Sequence, residues 1–106
     1  MQGTLKSFSE HVAKANDLFC ERYSTLDTIM GIMDKTLRKQ GIEADAITID
    51  CITINKKIVF VLHDIKPEFV DVALGNKEGT ISNSSTHKLT EMHVEEIFLL
   101  MEKNFL

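Results

Sequence analysis

Between residues 46 and 74 the apolar side chains recur at every second position, whereas in the flanking segments they recur every three or four. This change of period constrains the chain more than any other feature, because a period of two belongs to strands and one near 3.6 to helices. Ile47, Ile49 and Cys51 alternate with Thr48 and Asp50. Lys57-Ile58-Val59-Phe60-Val61-Leu62-His63 has the β-branched, nearly continuous apolar character of a central strand. Asn55-Lys56 predicts a two-residue hairpin turn, since asparagine tolerates positive φ, and Asp64 to Pro67 predicts the next turn. Glu68 to Leu74 reads as a third strand and Gly75 to Gly79 as a turn. Thr80-Ile81-Ser82 reads as a short fourth strand, with loop over Asn83 to Thr86.

Upstream, Phe8, Val12, Ala15, Phe19, Leu26, Met30, Met33 and Leu37 keep helical steps, with a capping-box pattern at Ser7 to Glu10 and a stop at Gly41. An unbroken helix of about 33 residues is about 50 Å long, more than a chain of 106 residues can cover. The segment therefore either breaks near Tyr23-Ser24-Thr25, where Ser24 and Asp27 together fit the start of a second helix, or packs its excess against another chain. Downstream, Thr90 fits as an N-cap, and Val94, Ile97, Phe98, Met101 and Phe105 form one apolar stripe. The expected fold is α+β: a long or broken N-terminal helix, a three- to four-stranded antiparallel sheet and a C-terminal helix, in one domain over residues 1–106.

The predicted turns set a register. The first pairs Cys51 with Phe60 and the second pairs Val61 with Val70, which places Ile47, Ile49, Cys51, Ile58, Phe60, Leu62 and Phe69 on one face. The other face receives Ile52, Ile54, Val59, Val61, Val70, Val72 and Leu74. With both faces apolar, something must cover each, and a soluble monomer rarely leaves such a patch in water. Val59, Val61, Val70 and Val72 are thus the expected interface of a two-fold homodimer.

Sixteen acidic against twelve basic residues give a formal charge of −4. That balance argues against nucleic acid, whose phosphates are held mainly by clustered Lys and Arg. The basic stretch Lys35 to Lys39 is explained by a helix C-terminus. The first seven residues lack a signal-peptide apolar region and no apolar run has the length of a membrane span, so a cytoplasmic location is expected, without membrane contact. In that compartment Cys20 and Cys51 are expected to be reduced thiols.

Side chains with chemical potential are few. Cys51 and His63 fall on opposite faces of the predicted sheet, out of the reach that a nucleophile and its base need. Asp50 and His63 share a face diagonally, the alternative location for a small-ligand or catalytic site, although an ion pair explains them as well. His11, His87 and His93 lack the tight spacing of zinc ligands, and Gly75 to Gly79 lacks a subsequent Gly-Lys-Ser/Thr, so no metal or other cofactor is expected.

Size, acidity and the helix–sheet–helix order are similar to small bacterial secretion chaperones and immunity-type proteins, which implies protein binding. The element order is also that of double-stranded-RNA-binding domains. Where those carry basic residues, at the start of the last helix, this chain has Glu91, Glu95 and Glu96. The reading that results is a small, acidic, non-enzymatic protein-binding or regulatory module, homodimeric, with itself and another protein as partners.

Overall fold

The computed structural model describes residues 3–106 and is α+β: an N-terminal helix, an antiparallel sheet of five strands and a C-terminal helix. Helix α1 spans Gly3–Arg22, strand β1 Thr28–Met33, the short helix α2 Thr36–Lys39 and strand β2 Ala44–Cys51. Strands β3, β4 and β5 span Lys56–His63, Phe69–Gly75 and Ile81–Lys88, and helix α3 spans Val94–Phe105. The sheet is a meander in which every strand lies beside its neighbour in sequence.

Helix α1 already includes Gly3, four residues ahead of the expected cap, and Ser9 donates its hydroxyl back to the Lys6 carbonyl. It ends where the sequence suggests, in a turn closed by Leu26 N–H to the Tyr23 carbonyl. The next element is strand β1 instead of a second helix. Leu26, Met30 and Met33 keep helical spacing, yet Thr28, Met30 and Ile32 also alternate, and Gly31 with the β-branched Thr28, Ile29 and Ile32 weakens a helix. Pairing with β2 (Met30 opposite Ile49, Ile32 opposite Ile47) puts that alternate set on the side of the core. Length supports this outcome, since the longest dimension of the molecule is 37 Å and the unbroken helix needs about 50 Å.

Two registers depart from expectation, with opposite consequences. The β2–β3 connection is a 3₁₀ turn over Ile52–Ile54 plus Asn55, which takes positive φ as expected, and it pairs Ile49 with Ile58 and Ile47 with Phe60. That displacement from the two-residue turn is even, so the faces of β2 and β3 are unchanged. The β3–β4 connection is a double turn, closed by Lys66 N–H to the His63 carbonyl and Phe69 N–H to the Lys66 carbonyl. It sets Val61 opposite Asp71 and Phe60 opposite Val72, a slip of one residue. A one-residue slip turns over every side chain of β4. Val70, Val72 and Leu74 join the core, and Phe69, Asp71 and Ala73 take the other face. The second apolar face therefore does not exist as expected.

The fifth strand covers Asn83 to Thr86, a run of Asn, Ser and Thr with no apolar alternation. At its entry the ladder slips between Leu74 and Gly75, where a Cβ on Gly75 would lie 2.3 Å from the Thr80 carbonyl oxygen. Both long helices lie on one face of the sheet. Leu5, Phe8, Val12, Ala15 and Phe19 of α1 and Ile97, Met101 and Phe105 of α3 close over Ile47, Ile49, Ile58, Phe60, Val70 and Val72. Each such fully buried aliphatic or aromatic side chain contributes about 1.5–3 kcal/mol relative to exposure. The N-cap of helix α3 is His93 rather than Thr90, with the His93 N–H donating to the Glu96 carboxylate, and Leu89–Glu91 forms a 3₁₀ turn. No helix among the described residues is long and apolar enough to cross a membrane.

Candidate functional site

The outer surface of the helix layer carries a groove between α1 and α3 with a volume of about 620 Å³. Leu18, Glu21 and Arg22 line it from α1, and Val94, Glu95, Phe98, Leu99 and Glu102 from α3. Helical geometry puts these residues beside the buried stripes instead of on them: Leu18 adjoins Phe19, and Phe98 and Leu99 fall between Ile97 and Met101. Leu18 is 42% and Leu99 60% exposed. The floor rests on an aromatic cluster in which Phe19 lies 4.8 Å from Tyr23, 6.1 Å from Phe98 and 5.8 Å from Phe105, centroid to centroid. Tyr23 stacks on Phe98 and donates its hydroxyl to the Glu102 carboxylate, which raises the tyrosine pKa above its ordinary value. The Arg22 guanidinium sits over the Tyr23 ring. The rim thus holds three carboxylates, Glu21, Glu95 and Glu102, against one cation, Arg22.

A second constellation occupies one end of the sheet. Arg38, from the basic stretch, reaches back from α2 and donates through Nε and Nη2 to Asp45 at 3.0 and 2.9 Å, and through Nη1 and Nη2 to Asp64 at 2.8 Å each. Asp45 is only 4% exposed. Hydrogen bonding to Asp64 first, then to Asp45, holds the guanidinium still more firmly protonated, and the Arg38 bonds pull the Asp64 carboxyl below the ordinary aspartate range. Beside this clamp His63 lies 3.2 Å from Asp71, which also accepts from the Thr86 hydroxyl. A cavity of about 260 Å³ opens among Leu5, Asp45, His63, Asp64 and Phe69. Arg38 with Asp45 and Asp64 satisfy one another, so the clamp ties α2 to the sheet.

The predicted residues separate. Asp50 pairs with Lys57 at 3.9 Å, at the opposite end of β3 from His63. Six residue steps along the strand, about 20 Å, separate the two, so Asp50 and His63 do not form one site. Val59 and Val61 lie half-buried on the sheet face away from the helices, whereas Val70 and Val72 are buried beneath them, so the four valines share no surface. The first pair stands in two cross-strand rows: Gly31, Thr48, Val59, Ala73 and Ser84, then Met33, Ala46, Val61, Asp71 and Thr86. The slip of β4 has replaced valines with alanine and aspartate there.

Both cysteines are free: Cys51 is buried, and burial pushes its thiol pKa up, while Cys20 on α1 contacts the Thr28 hydroxyl. His11 and His93 meet edge to face at 6.1 Å, and His87 bonds to Ser85. Among the described residues no three His, Cys, Asp or Glu side chains are grouped to hold a metal ion. The groove and the aromatic cluster beneath it are absent from the sequence-based expectations, although the off-stripe Leu18 and Leu99 signal the first and the i, i+4 pair Phe19 and Tyr23 the second. No protein-family model, no curated protein and no solved structure matches the chain.

Proposed function

We propose that this chain is a non-enzymatic protein-binding module that works as a homodimer and receives a basic amphipathic helix of another protein between α1 and α3. The observation that carries the reading is the groove itself: an apolar floor of Leu18, Phe98 and Leu99 inside a rim of Glu21, Glu95 and Glu102. Helix-in-groove recognition needs such a trough for the apolar anchors of the partner, and charges of one sign around it select the opposite sign. The aromatic cluster beneath stiffens the trough, so little side-chain entropy is lost on docking.

A titration monitored by calorimetry tests this, using as probe a synthetic helix of about 18 residues with leucines on one face and lysines on the other. Expected is saturable binding that weakens with salt, as screened charges require, and that disappears in Leu99→Lys. Binding unaffected by Leu99→Lys, or none at low salt, would refute the groove as the docking site. Sedimentation equilibrium at micromolar concentration tests the homodimer separately.

A further inference from the structure

The two outer strands of the sheet differ sharply. Strand β5 presents Ser, Asn and Thr, several already engaged: Ser82 with the Leu74 carbonyl, Ser85 with His87 and Thr86 with Asp71. Strand β1 is Thr-Ile-Met-Gly-Ile-Met, without charge, proline or bulge, and among the described residues it pairs with a strand on one side only. Ile29 on one face of this edge is 54% exposed and Ile32 on the other is 40% exposed. Soluble proteins normally blunt such an edge with a lysine, a proline or a bulge, because its free N–H and C=O groups template pairing with another chain.

We infer that β1 pairs antiparallel with β1 of a second copy, joining two sheets edge to edge into one. The interface rests on the homodimeric reading and specifies its surface. A two-fold axis between antiparallel neighbours stands perpendicular to the sheet, so each residue opposes one on its own face. Centring the register on Gly31, one of the two residues at the middle of the strand, places Gly31 opposite Gly31 of the second copy, Ile29 opposite Met33, and Met30 opposite Ile32. Met30 and Ile32, on the helix side, continue the core from one copy into the next, while Ile29 and Met33 cover each other on the open face. The same register brings Asp27, just before the strand, against the segment that carries Lys35, within reach of its four-carbon stem. Symmetry forms that pair twice. Shifting by two residues in either direction sets Asp27 against Met33 or Lys35 against Ile29 and loses both complementarities. A Cβ at Gly31 would press on the hydroxyl of Thr48, its intrachain partner on β2, at 2.9 Å, so this position carries no side chain.

The test is sedimentation equilibrium of the full chain and four variants, each checked for native circular dichroism. Asp27→Lys and Lys35→Asp should each raise the dimer dissociation constant by about threefold to tenfold, as expected for two solvent-accessible ion pairs. The double exchange D27K/K35D should return it to near the wild-type value. Ile29→Lys, at an exposed position that leaves the fold alone, should raise it more than about tenfold, the size of change expected when a charge is set against buried apolar surface. A wild-type dimer indifferent to all four variants overturns the β1 interface and leaves the homodimer standing on another surface. A wild-type monomer overturns both.

Discussion

Arg38 and Asp64 show how one surface cation can organise the end of a sheet. Because Arg38 lowers the Asp64 pKa, the pair contributes stability above the unfolded aspartate value near pH 4. That contribution is lost as the pH falls through the lower folded value. Urea midpoints should therefore drop more for wild type than for Asp64→Asn between about pH 6 and pH 3, a window reaching below the unfolded value. Arg38→Ala should lower the midpoint further at neutral pH than Asp64→Asn, since it also strands the buried Asp45. The thiols permit a second check at this scale. Alkylation of the native protein should label Cys20 well before Cys51, which is buried and has a raised pKa, and denaturant should release two thiols in total. Equal labelling rates would contradict the placement of Cys51.

Strand β4 offers the sharpest discrimination at the level of elements. Its register makes Val72 a core residue and Ala73 an open-face neighbour of Val59. Val72→Asp should abolish the cooperative transition, because it buries an unpaired carboxylate, whereas Ala73→Asp should shift the urea midpoint only slightly. The reverse ranking would restore the register that the sequence suggests. Parity is the reason the two registers differ. Hydrophobic alternation places Val70, Val72 and Leu74 together but is silent on which face they share with β3; the turn between the strands decides that, and a double turn through Asp64 to Glu68 has the opposite parity to a four-residue one. Strands β2 and β3 are legible because β-branched alternation and Asn55 agree. Strand β1 is hidden by side chains that satisfy two periods at once, and β5 by polar residues whose pairing depends on β4 alone.

At the scale of the whole molecule, the α+β class and the order helix, sheet, helix are legible from periodicity. The placement of both helices on one face is not. It results from the parity of a single turn, which gathers the apolar residues of β2, β3 and β4 onto the side that α1 and α3 cover. The groove is equally out of reach of pattern reading, because it depends on residues from the two ends of the chain that meet only through tertiary packing, as Tyr23 and Glu102 do. The meander has a temporal consequence. Since each strand pairs with the one preceding it, hairpins can be added one after another as the chain leaves the ribosome, with little loop entropy lost at each step. The contact of α1 with α3 instead joins two elements separated in sequence by the entire sheet, and α3 is made after every strand. A nascent sheet therefore waits with part of its inner face uncovered until Val94 to Phe105 emerge, and closure of this core is timed by that twelve-residue helix.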